Sequence, residues 1–395
     1  MTSFDLLSTQ VRDNPHALFA DLRRAAPLAS VAPFGMWAVS RYDDVRRVLS
    51  SPFAFRPRPA ASPALSDPEP FEATLLVDEP LAGSAVANLA RKAMGPELLE
   101  RHERKVRAAA HALVDRVLER DNLDLVSLVA LPLPAASMAD LIGVAPARRA
   151  AFMRWASDAI SPGPGVPGAE RMRKLRSSLD GFMGYLSELL GARRAEPGED
   201  LLSALTLVEQ DGIKLSDGDI LGVVLHVLLA GNEATADLIG NALLSLVRHR
   251  DAYDAVRADP GRIPELIEET LRHESPVVGQ LRVTHGPVPM GDSTIPGGAL
   301  VLALSSSANR DPAHFKDPDA FDLERDNTDC LTLGGVGQEA LWAPRARLEA
   351  RVALEVLFDR LPDFGAAPGE VQWCSSLLFR GPRVLPILYT DEGEE

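Results

Sequence analysis

The stretch LSDGDILGVVLHVLLAGNEATADLIGNALLSLVRH, residues 215–249, restricts the possible folds of this chain more than any other. Its apolar residues fall on almost every face at helical spacing, which predicts a long helix that must run through the centre of the protein rather than along its surface. Only a large fold can surround such an element. With 395 residues, 46% of them hydrophobic, the chain is long and apolar enough to do so. The helix carries one polar interruption, AGNEAT, where Asn232 and Glu233 sit mid-helix. A carboxylate held there in an apolar pocket gains a raised pKa and can serve as a general acid or base. The alternative, that Glu233 only bonds to a neighbouring helix, stays open at this stage.

Other segments sort around that helix. WAVSRYDDVRRVLSSPFAF reads as a short strand entering a helix, with Asp43 and Asp44 at the end where the dipole favours negative charge. Pro96 to Glu119 is strongly helical and charged on one face, and QLRVTHGPVPMGDSTIPGGALVLALSS reads as strands joined by a turn at Pro296, Gly297 and Gly298. The proline- and glycine-rich Ser161 to Glu170 is expected to be a loop and a mobile lid. Near the C-terminus, APRARLEARVALEVLFDRLPDF predicts an amphipathic helix with Leu348, Val352, Leu354 and Leu357 on its apolar face and Arg345, Arg347 and Glu349 among its polar positions. No repeat or low-complexity linker divides the chain, so one integrated domain over 1–395, mainly α with a small β region at roughly 27–60 and 277–305, is the expectation.

Charge and cysteine usage narrow the partners. A net charge of -15 argues against nucleic acid and against anionic lipid. No window approaches eighteen uninterrupted apolar residues and the first residues do not resemble a signal segment, so a cytoplasmic protein with no membrane partner is expected. Two cysteines, Cys330 and Cys374, make neither a disulfide framework nor a metal cluster, and no grouping of His, Asp and Glu has metal-ligand spacing. His226 reads as a core histidine. His285, on a strand, is a candidate for facing a pocket.

Taken in order, LLAGNEATADLIGN, EETLRHESPV, SSSANRDPAHFKDPDAFDLERD and APRARLEARVAL resemble the bacterial cytochrome P-450 family of haem-thiolate monooxygenases, over essentially the whole chain. The resemblance implies that family's prism-like, mostly helical fold. It also implies roles for residues. Glu269, Arg272, Asn309 and Arg310 correspond to the family's structural brace, and Ala230, Gly231, Ala234, Thr235, Val278 and Trp342 to the lining of a substrate pocket. The family's F-G-x-G-x-H-x-C-x-G loop, whose cysteine binds haem iron, corresponds to LGGVGQEALW. Ala340 then stands at the ligand position, Gln338 where the family has His or Arg, and Trp342 and Val336 where it has glycine. Gly83 and Ala85 replace two propionate-binding residues, while Arg282 is kept. Ala234 replaces the alcohol beside bound dioxygen, with Thr235 one residue on.

These losses lead to the expectation of a haem-free homologue with no cofactor. The first reading is a non-redox enzyme, a cyclase, isomerase, dehydratase or rearrangement catalyst, acting on a hydrophobic secondary metabolite such as a polyketide or terpenoid; Glu233, Asn232, Glu339 and His285 are its candidate catalytic groups. The second, implied by the resemblance, is an auxiliary protein that binds and activates a glycosyltransferase of antibiotic biosynthesis. The third is a residual haem protein with a ligand other than cysteine.

Overall fold

A computed structural model describes residues 4–5, 8, 11, 13–32, 35–51, 54–57, 85–119, 123–160, 169–335, 338–374 and 376–389. The apolar stretch forms one helix, Asp217–Arg248, the central helix below. It starts on a capping box: the Ser216 hydroxyl accepts from the Asp219 backbone N–H, and the Asp219 carboxylate accepts from the Ser216 backbone N–H, so two end donors are satisfied at once. The helix is long and apolar enough to cross a bilayer by composition alone, but 69% of its most apolar window is buried inside the protein, which makes it a core helix.

Three helices close around it. Pro96–Leu118 and Pro132–Ile142 pack on each other and on the final helix, Ala343–Arg360, while the central helix packs on the last two. Leu113, Leu133, Met138, Leu228, Ala234, Leu238, Ala346 and Val352 belong to the shared core. The final helix departs from its sequence reading. Arg345 and Glu349 are fully buried and Leu348 is only half-buried, because this helix is covered on several sides and a single apolar stripe does not decide which positions face inward.

The β region lies to one side. Phe4–Asp5, Leu28–Ala32, Met36–Val39, Leu300–Ala303, Gln280–Thr284 and Phe55–Pro57 form a mixed sheet in that spatial order. Strand Leu300–Ala303 is parallel to Met36–Val39 and antiparallel to Gln280–Thr284, opposing Val301 to Trp37 and to Arg282. Short strands also appear where the sequence suggested none, at Phe364–Ala366, Gln372–Trp373, Pro382–Val384 and Pro386–Tyr389. Strand Pro382–Val384 touches the central helix. These runs of two to four residues are too short to show period-two alternation. Of the proposed lid, residues 161–168 lie outside the described residues, and Ala169 and Glu170 open the helix Ala169–Ala195.

A buried bracket fixes the segment leading to the final helix. Arg272 presents Nε and Nη2 to the two oxygens of Glu269 at 2.8 and 2.6 Å, and its Nη1 donates to the carbonyls of Asn309 and Pro318. Asn309 in turn donates to the Thr332 hydroxyl and accepts from the Leu331 N–H, tying the chain down a few residues before the glycine-rich loop. Arg310 grips the His273 carbonyl with Nε and Nη2. A fully buried, bidentate pair is costly to break from one side, since the partner keeps an uncompensated charge. Glu269→Ala is therefore expected to lose about 3–5 kcal/mol in urea unfolding; a loss under about 1 kcal/mol would show the bracket to be incidental.

Candidate active site

The AGNEAT turn is where chemistry-bearing side chains meet. Glu233 and Asp237 lie one turn apart on the central helix, and both bond to Arg383 on strand Pro382–Val384: Arg383 Nη2 donates to Glu233 at 2.9 Å and Nη1 to Asp237 at 2.5 Å. One guanidinium thus serves two carboxylates. Gly381 has to be glycine here, because a Cβ would stand 2.4 Å from an Asp237 oxygen. Burial pushes the Glu233 carboxyl up to about 7, helped by repulsion from Asp237 and opposed by Arg383. Burial likewise pushes Asp237 up to about 6 against the pull of Arg383 and Arg380. Nearby, the Cys374 thiol is pushed up to about 12, first by burial and then by Asp237, and donates to the Phe379 carbonyl. Cys330 is also pushed up by burial, to about 11.

Other residues of the turn have separate roles. The Thr235 hydroxyl donates back to the Gly231 carbonyl at 2.5 Å, which satisfies it within the helix, and Ala234 is fully buried. Asn232 is half-buried, and its side-chain oxygen is buried with no hydrogen-bond partner. Gly231 packs against the final helix: a Cβ built on it would meet Trp342 Cβ at 2.8 Å and Arg345 Nη2 at 3.1 Å. Ala230 lies in the same helix.

The remaining sequence candidates scatter. Val278 is half-buried, and its N–H donates to the Leu378 carbonyl. His285 is exposed just past strand Gln280–Thr284, with its backbone N–H donated to the Ala54 carbonyl, so it does not face a pocket; the alternation that buries Arg282 and Thr284 turns His285 outward. Arg282 is buried on that strand. Ala85 is exposed at the start of helix Ala85–Ala93, and Gly83 lies outside the described residues. Gln338 and Glu339 form a two-residue strand opposite Gly334 and Gly335. Ala340 follows, half-buried, its N–H donating to the Leu333 carbonyl at 2.7 Å.

Sequence reasoning missed a second polar cluster, between the four core helices. The Ser137 hydroxyl donates to Glu349 and lies 2.8 Å from His102 Nε2, which is 3.4 Å from the same Glu349 oxygen. Arg345 Nη1 stands 3.4 Å from Glu349 and 3.7 Å from the Met138 sulfur. Three helices supply these side chains, so no local spacing could have announced them. Arg383 and Asp237 were missed for the same reason, the arginine lying 146 residues from the aspartate it pairs with.

Known proteins place the chain. The family model described as Cytochrome P450 matches residues 169–329. The chain is 33% identical to Cytochrome P450 107B1 of Saccharopolyspora erythraea, covering 98% of this chain and 97% of that protein, and 32% identical to the 6-deoxyerythronolide B hydroxylase of the same organism, covering 97% and 98%. The solved structure of Cytochrome P450 CYP109Q5 from Chondromyces apiculatus superposes with a TM-score of 0.87 at 39% identity, covering 98% of each chain. The chain belongs to the cytochrome P450 family. Two expectations are corrected by this. Full-length relatives named as cytochromes P450 and as a hydroxylase speak for haem-dependent oxidation, not for a cofactor-free, non-redox enzyme, and nothing in them points to a haem-free state. They give the glycosyltransferase partner no support.

Residues around Ala340 do not fit a cysteine-ligated iron. An alanine methyl has no donor atom, and Trp342 closes on Gly231, where a flat ring in contact with both would need about 7 Å, twice the usual carbon–carbon contact. No step is therefore assigned to a thiolate-bound metal. The acid pair has a consequence that can be measured. Because both carboxyls are raised, the folded chain holds protons that the unfolded chain has already released, and their stabilisation, present below about pH 4, is lost as pH rises to about 7. Glu233→Gln is expected to flatten the fall in Tm between pH 5 and pH 8 and to raise Tm at pH 8; curves that run parallel to the parent's would remove the case for a proton held here.

Proposed function

We propose that this protein is an oxidising enzyme that takes a hydrophobic small molecule, of polyketide or similar size, beside the AGNEAT turn of the central helix. The observation that carries this reading is full-length similarity to the 6-deoxyerythronolide B hydroxylase, together with a half-buried carboxyl at Glu233 whose proton affinity suits transfer near neutral pH. Similarity of fold alone does not fix a reaction, so the site has to contribute. Its contribution is a proton store: fully buried Asp237 and half-buried Glu233 hold a proton against Arg383. Haem, if bound, would supply oxygen activation; Ala340 offers its iron no donor atom.

Titration of the purified protein with haemin, followed by absorbance and then by dithionite and carbon monoxide, tests the reading. One equivalent of haemin is expected to displace Trp342 from Gly231 and give a Soret band, with a carbonyl spectrum of the thiolate type appearing only in Ala340→Cys. Failure of the parent protein to take up haemin would overturn haem-dependent oxidation, whatever its affinity for hydrophobic probes.

A further inference from the structure

Arg345 is fully buried, yet two of its nitrogens, Nε and Nη2, have no hydrogen-bond partner among the described residues. These are not a random pair. They form the edge of the guanidinium whose N–H bonds run parallel, and three other arginines show that edge occupied: Arg272 closes it on the Glu269 carboxylate, Arg347 on Glu268, and Arg310 on one carbonyl oxygen, that of His273, at 2.9 and 2.7 Å. An open fork of this kind, withdrawn from water, is expensive, and burial pulls the Arg345 pKa below its ordinary value with Glu349 opposing.

The fork's position ties it to the turn already described. Nη2 would lie 3.1 Å from a Cβ on Gly231, next to Trp342, and the Asn232 oxygen on the following residue is also buried and unpartnered. Charge decides what the fork can accept. Glu349 stands 3.4 Å from Nη1 and already supplies a carboxylate to this cluster, so a second anion would be left uncompensated in the core. Arg310 shows the neutral solution: Glu274 lies 3.7 Å from its Nη2, while a carbonyl oxygen takes both edge donors. Arg345 repeats that pattern with the carbonyl missing.

We propose that the open Nε and Nη2 edge of Arg345 is a recognition site for a neutral carbonyl oxygen, a ketone or a lactone, on the hydrophobic molecule bound against the AGNEAT turn. The inference rests on the proposed binding of such a molecule, and it adds the functional group that is recognised and the residue that recognises it. Both donors are closed off from solvent, and Trp342 and Arg345 Nη2 flank the same glycine, Gly231, so the indole is placed to report on a ligand at the fork.

The test uses cyclododecanone and cyclododecane as probes with the full-length protein, its Arg345→Met and Arg345→Lys variants and a Trp342→Phe control, read by tryptophan emission and by the infrared carbonyl stretch of the bound ketone. The ketone is expected to bind about tenfold more tightly than the hydrocarbon, with its carbonyl stretch lowered. Arg345→Met should abolish both the preference and the shift, and Arg345→Lys should keep part of each. The emission change should vanish in Trp342→Phe. Arg345→Met leaves the buried Glu349 carboxylate without its cation and is expected to lower Tm, so the carbonyl preference and the stretch, and not Tm, decide between recognition and a purely structural role. Equal binding of ketone and hydrocarbon, or a preference that survives Arg345→Met, would overturn the proposal while leaving hydrophobic binding intact; binding of neither probe would overturn both.

Discussion

Burial of the central helix sets the terms for everything around it. A helix of thirty-two residues, most of it withdrawn from water, satisfies its own backbone, but any polar side chain on its buried part has to find a partner inside the protein. Thr235 finds one within the helix. Asn241 reaches the carbonyls of Glu274 and Arg380, and Asp237 and Glu233 reach Arg383 on a strand near the C-terminus. The site is thus assembled by what this one helix cannot satisfy alone.

Elsewhere in the core, buried arginines do similar work. Arg272, Arg310 and Arg380 each bring a planar set of donors to places where loops would otherwise present bare carbonyls or carboxylates, and Arg380 also lies 3.6 Å over the Trp373 ring while bonding to Glu274. Their geometry brackets the segment that leads into the glycine-rich loop. Arg345 differs from them only in what is missing from its edge, and that contrast within one protein gives the open fork its meaning.

Much of this was legible beforehand. The central helix, the helix at Pro96 and the final helix followed from apolar spacing, and the motifs around EETLRH and SSANRD led to the family. Less legible was which side of an element each polar residue takes. Arg345 and Glu349 looked like solvated positions of an amphipathic helix and proved to be fully buried, while His285 looked like a pocket residue and is exposed. Reading lost motif residues as lost chemistry also went too far, since the family is shared over the whole length with oxidising enzymes.

Sequence alone determined the fold class, the helix that must be central and the presence of a polar interruption in it, because periodicity and composition are local properties that the chain carries whatever surrounds it. Tertiary structure decided which charges meet. Glu233 with Arg383, and His102 and Ser137 with Glu349, are separated by more than a hundred residues and come together only when helices and strands pack. Their proton affinities and their open or closed hydrogen bonds depend on burial and on those distant partners, neither of which has a signature in the neighbouring sequence.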